Sequence, residues 1–126
     1  MGDVPTGTQS FSYKRLYRLT TPAEFRRVFS KAERSGDRFF TILWRPNDLE
    51  TARLGFAIAK KRIAQATARN RIRRLARESF RYHRQQLDNV DIIVMAQPAA
   101  QQAANKQLAD SLDRHWNKIR RDIKQD

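Results

Sequence analysis

The chain has 126 residues, 40% of them hydrophobic, which suits one domain with a modest packed core. Its 26 Lys and Arg against 13 Asp and Glu leave +13 at neutral pH, a charge that opposes compaction until a polyanion neutralises it. It has no cysteine and only two histidines, His83 and His115, which excludes disulfides, thiolate zinc sites and a cysteine nucleophile.

Residues 1–13 are rich in Gly, Ser, Thr and Pro and are expected to be a flexible tail ahead of a single domain spanning 14–126. This N-terminal stretch lacks the apolar core of a secretory signal, and no apolar run approaches the roughly 20 residues that span a bilayer, so a cytoplasmic protein without membrane contact is expected. Thr21-Pro22-Ala23-Glu24 predicts a helix start, with Thr21 as N-cap, Pro22 in the first turn and Glu24 closing a capping box. Phe25, Val28 and Phe29 share a face of that short helix.

Gly36-Asp37 breaks the pattern, and Arg38 to Arg45 (RFFTILWR) reads as a strand. Its alternation places Phe40, Ile42 and Trp44 on one face and Phe39 and Leu43 on the other. Pro46-Asn47-Asp48 supplies a turn, and Arg53 to Ala59 (RLGFAIA) is expected to return as the antiparallel partner in a hairpin. From Thr67, the expected N-cap, the period changes to three and four and predicts a helix running to about Gln86, ended by Asp88-Asn89. Asp91 to Ala96 (DIIVMA) reads as a short buried strand. Ala99 to Ala104 reads as a loop or frayed lead-in, and Leu108, Leu112, Trp116, Ile119 and Ile123 mark a final amphipathic helix. The expected class is α+β, a single-domain αββαβα sandwich.

The long middle helix carries the chemistry. Ala68 to Arg84 holds seven arginines in seventeen residues, with Glu78 as the one acid. At about 100° per residue, Ile72, Leu75, Ala76 and Ser79 share one face and Arg73, Arg74, Arg77, Arg81 and Arg84 form a stripe beside it. Like charges three and four apart destabilise an isolated helix by roughly 0.2–0.5 kcal/mol per pair, and a bound phosphate backbone would reverse that sign. A solvated basic face with aliphatic stems lying over the core is the plainer reading. Arginine to the exclusion of lysine favours phosphate, because the guanidinium fork suits bidentate contact. Lys60, Lys61 and Arg62 extend the patch ahead of the helix.

The stretch AKKRIAQATARNRIRRLARESFR, Ala59 to Arg81, resembles the signature of the bacterial ribonuclease P protein subunit, with Arg69-Asn70-Arg71 at its centre. The likeness continues in RLTTPAEFRRVF, RLGFAIA and DIIVMA, from about Leu16 to the last helix. Ala64 departs from the glycine found there in many members. The resemblance implies a fold similar to domains of a small-subunit ribosomal protein and of elongation factor G, with a left-handed βαβ crossover around the arginine-rich helix. It also implies a ribonucleoprotein that cuts the 5′ leader from precursor tRNA. Its catalytic centre and most of its magnesium would lie in the RNA, with no catalytic or metal-binding residue in this chain.

The implied partners are the catalytic RNA and precursor tRNA, with no protein partner required. Lys60, Lys61, Arg69, Asn70, Arg71, Arg73 and Arg74 are expected to bind the catalytic RNA. Phe25 and Phe29, with Arg69, Arg73 and Arg77 at the border, are expected to line a cleft for the leader, where aromatic rings stack on unpaired bases. Core packing is the alternative for the two phenylalanines. Both histidines are expected to be structural or exposed, and the scattered acids offer no two-metal nuclease site. A plain RNA-binding module and, more weakly, a DNA-binding helix are the competing readings.

Overall fold

The computed structural model describes residues 17–124, so the tail reading lies outside the described residues. Helix α1 (Pro22–Ser30) starts as predicted: Thr21 Oγ1 accepts from the Glu24 amide at 3.2 Å, and Glu24 Oε1 accepts from the Thr21 and Thr20 amides at 3.0 and 2.8 Å. Strands β1 (Glu33–Gly36) and β2 (Phe40–Pro46) follow, joined by a turn in which Asp37 Oδ1 accepts from the Phe39 and Phe40 amides, both at 2.9 Å. Then come β3 (Arg53–Phe56), helix α2 (Ala66–Leu87), β4 (Val90–Ala96), a 3-10 turn over Pro98–Gln101 where a loop was expected, and helix α3 (Asn105–Lys124). The chain is the expected α+β domain with one more strand than the sequence suggested.

The extra strand, β1, reads ERSG, and only Ser35 in it is buried. A polar edge strand carries no apolar alternation and so leaves no signal.

The expected hairpin between RFFTILW and RLGFAIA does not form. The sheet order is β1-β2-β4-β3, with β4 antiparallel to β2 and parallel to β3. Strand β4 (VDIIVMA) is buried at nearly every position, so it takes the centre, where both of its faces are covered, and separates β2 from β3. The hairpin is instead β1–β2, paired from Glu33↔Trp44 to Gly36↔Thr41. The β3–α2–β4 segment is a crossover joining neighbouring parallel strands around the arginine helix.

Two apolar layers flank the sheet. Phe40, Ile42, Trp44, Leu54, Ile92 and Val94 meet α2 and α3 through Ile72, Ala76, Phe80, Leu108, Leu112 and Trp116. On the opposite face α1 lays Val28 on Leu19 and Ile93, with Phe25, Leu43, Ala57 and Met95 around them. Phe39, expected beside Leu43, precedes the strand and joins the larger layer instead.

Thr67 does not cap α2. The cap position is Gln65, without a side-chain bond, and Thr67 lies inside the first turn. The helix entry is held by Arg69, whose Nη1 donates to the Ile63 and Ala64 carbonyls at 2.8 and 3.0 Å, while its amide donates to Gln65 O at 3.0 Å. The helix ends at Asp88, whose φ of 50° turns the chain into β4.

Candidate nucleic-acid interface

Helix α2 buries Ala68, Ile72, Ala76, Phe80 and Leu87, and that burial fixes where every arginine points. Asn70, Arg73, Arg74 and Arg77 surround an open hollow of about 520 Å³. Arg73 Nη1 donates to Asn70 Oδ1 at 3.1 Å, which orients its fork, and Arg74 is exposed. Arg77 lies over the Phe56 ring at 5.4 Å from its centroid. Lys60 and Lys61 are exposed in the turn before the helix, and Arg62 next to them donates to Gln97 Oε1 at 2.9 Å.

Arg71 stands apart. Its Nη1 donates to Ala103 O at 3.1 Å and Asn105 Oδ1 at 2.7 Å, and its Nη2 donates to Ala100 O at 3.3 Å and Gln101 O at 3.0 Å. The guanidinium spends its fork on the connection between β4 and α3. Its acceptors are all neutral, so its positive charge still adds to the field of the face. The central Asn-Arg pair of the motif therefore divides: Asn70 faces the hollow, whereas Arg71 faces inward.

The two phenylalanines lie on the other side of the sheet. Phe25 and Phe29 have ring centroids 6.5 Å apart, and Phe29 is 48% exposed at the rim. Phe25 packs over Gly55, where an added Cβ would come 2.7 Å from Phe25 Cζ and 2.8 Å from Leu19 Cβ. Gly55 and Phe56 are successive residues of the edge strand β3 and point to opposite faces. The aromatic pair and Arg77 thus flank β3 from its two sides rather than standing on one wall.

A charged cluster that the sequence reading did not foresee braces the α1 side. Asp91, fully buried, accepts from Arg53 Nε and Nη2 at 2.9 Å each and from Asn47 Nδ2 at 2.7 Å. Arg53 Nη1 also donates to Glu24 Oε2 at 2.8 Å. Burial alone would raise Glu24, but the Thr21 and Thr20 amides and Arg53 outweigh it and hold the carboxyl down at about 2. The hydrogen bond to Asp91 leads the causes that raise Arg53. A strand acid paired to a strand arginine 38 residues away has no local spacing to reveal it.

Both histidines, expected to be structural or exposed, have partners within the domain. His83 Nδ1 lies 2.9 Å from Ser79 O. His115 is buried, with Nδ1 2.7 Å from Ser35 Oγ and Nε2 3.2 Å from Asp37 Oδ2, close enough for charge attraction but not aligned for a hydrogen bond. Burial is the first cause lowering His115, against the pull of Asp37. Among the described residues, no three His, Asp or Glu side chains converge to hold a metal, and no helix is long and apolar enough to cross a membrane.

A profile of the ribonuclease P family matches residues 13–120. The ribonuclease P protein component of Methylococcus capsulatus is 45% identical over 112 residues, covering 89% of this chain and 88% of the relative. That of Pseudoalteromonas translucida is 41% identical over 111 residues, covering 88% and 79%. The solved RNase P protein of Staphylococcus aureus superposes with a TM-score of 0.75 at 34% identity, covering 82% of this chain and 94% of its own. A family match across nearly the whole described domain, with relatives above 40% identity and a solved homologue of the same fold, makes this chain a member of the ribonuclease P protein family.

Proposed function

We propose that this subunit of ribonuclease P assists 5′ maturation of tRNA by gripping two RNAs at once, with α2 on the catalytic RNA and the groove between α1 and the sheet on the 5′ leader of precursor tRNA. The observation that carries the reading is the division of α2. Asn70, Arg73 and Arg74 line a solvent-open hollow, while Arg69 and Arg71 are tied to backbone carbonyls. Lys60, Lys61, Asn70, Arg73 and Arg74 offer phosphate contacts along this face. Arg69 and Arg71 belong to it chiefly as positioning residues that supply charge. Exposed Phe29, next to Phe25, offers a stacking surface to an unpaired base, worth roughly 1–3 kcal/mol. Arg73 and Arg77 approach the same leader from the far side of β3.

Chemistry belongs to the RNA in this reading. Glu24 and Asp91 are already taken up by Arg53, so these carboxylates do not fit a magnesium ion, and in this reading the magnesium of the particle is held mainly by RNA. The chain's own contribution is electrostatic: it lowers repulsion between two polyanions and holds the leader in register. The cytoplasm is the compartment in which this task is met.

The test compares the affinity of the reconstituted particle for precursor tRNA with its affinity for mature tRNA. Wild type is expected to prefer the precursor, and Phe29→Ala with Arg77→Ala to lose most of that preference. A folded double variant that keeps it would move the leader elsewhere.

A further inference from the structure

We infer that the far flank of α1 is a second RNA phosphate site, formed by Arg27, Lys31 and Arg45, an inference that rests on the RNA-binding reading above. At about 100° per residue, Phe25 and Phe29 lie on one side of buried Val28 and Arg27 and Lys31 on the other. The cationic flank overlooks a hollow of about 330 Å³ on the β1–β2 side of the helix, lined also by Trp44, Arg45 and Pro46. This hollow is separate from the arginine helix, which packs on the opposite face of the sheet.

The two guanidiniums are anchored by part of their donors. Arg27 Nη2 donates to Pro46 O at 3.0 Å, and its Nη1 lies 3.5 Å from Asp91 Oδ2. Arg45 Nη1 donates to Arg27 O at 2.6 Å and Ser30 Oγ at 3.4 Å. Among the described residues, these neutral acceptors are the partners of Arg45, and Lys31 enters no ion pair. Arg45 therefore keeps its whole charge and the remaining edge of its fork, pre-oriented on a strand. Glu33 is the carboxylate in the lining, and Asp91, which reaches Arg27, is shared with Arg53.

The helix dipole favours cations at the end of α1 and accounts for Arg27 and Lys31 being there. It does not account for Arg45, which comes from β2 and ties itself to that same helix end. A partly ordered fork and an ammonium around an open hollow suit a phosphodiester, which takes bidentate and point-charge contacts together. An RNA strand leaving Phe29 has about 10–12 Å of helix to cross before it meets Lys31, so one leader could occupy both flanks. The catalytic RNA is the other source of the same phosphodiester.

The experiment uses wild type, Lys31→Ala and Lys31→Ala with Arg45→Gln, each checked for an unchanged melting temperature. Salt series are recorded with the catalytic RNA alone, and with the reconstituted particle and precursors of short and long leader. The expected result is a roughly three- to tenfold loss and a salt slope lowered by about 0.7 per phosphate for the long leader, with the short leader unaffected. A loss already present with the catalytic RNA alone also supports the site and assigns its phosphate to that RNA. Unchanged affinity and slope for every RNA, with wild type retaining precursor preference, would overturn the site alone. A wild type that binds none of the three would overturn the ribonuclease P reading and the site with it. Lys31→Ala, which removes an exposed side chain, carries the test even if Arg45→Gln lowers stability.

Discussion

Arg71 Nη1 lies 2.7 Å from Asn105 Oδ1, so the centre of the arginine motif is bound to the first residue of α3. The same guanidinium takes three backbone carbonyls of the preceding connection. Arg71→Ala is expected to lower stability by about 2–3 kcal/mol, since hydrogen bonds from a charged group are lost and their acceptors are left behind. Arg74→Ala should stay within about 0.5 kcal/mol of wild type and reduce the salt slope for catalytic-RNA binding by about 1. Thermal melts and salt titrations of both variants decide this. Equal melting temperatures for the two would contradict the division.

Gly55→Ala places a methyl against Phe25 and Leu19 at distances that demand movement. Its expected cost is about 1–3 kcal/mol from overpacking. Because the ring that must move is Phe25, the particle's preference for precursor over mature tRNA should fall in the same variant. A melt together with that affinity ratio checks both parts.

Asp88 sits at φ 50° and ψ −138°, a region that disfavours residues with a Cβ. Asp88→Gly is expected to raise stability by about 1 kcal/mol, with the helix and β4 unchanged. A denaturation midpoint that falls instead would show that the aspartate stabilises this turn in another way.

Acid should weaken the fold in two steps. His115 is lowered in the folded state, so its contribution is present above the ordinary value of 6.5 and is lost as pH falls below it. Burial is the main cause of this lowering; Asp37 in the β1–β2 turn opposes it, Arg114 and Lys118 on α3 add to it, and Ser35 faces Nδ1. Glu24, lowered to about 2 from 4.5, contributes stability above 4.5 that disappears between 4.5 and 2. Allowing for its partial exposure, that arm is worth about 1–2 kcal/mol, and Glu24→Gln should remove it while leaving in place the higher window and the acid loss from Asp37, which is also lowered. Stability measured against pH for both chains tests the assignment.

The capping box at Thr21 and Glu24, the buried stripe of α2 and the apolar run of β4 were legible because each is a local pattern of the right period. The sheet order was not. RFFTILW and RLGF are joined by a turn sequence, and only the near-continuous apolar run of β4 after Asp91, weighed against the two outer strands, points to a place between them. The arginine face could be drawn from helical angles, but those angles place Arg71 without saying that the β4–α3 connection lies opposite to receive it. Likewise, the alternation of β3 was readable. That Phe25 and Arg77 take opposite sides of it depends on which helix covers which face, a tertiary fact.

The central claim is that this chain assists an RNA catalyst and holds its substrate's leader. The most direct measurement is leader release from precursor tRNA by a bacterial catalytic RNA at low magnesium, with and without the purified chain. The account predicts faster release with the chain present, a smaller gain with Arg73→Ala and Arg74→Ala together, and no cleavage by the chain alone. Cleavage by an RNA-free preparation of the chain, or a catalytic RNA indifferent to it, would contradict the account.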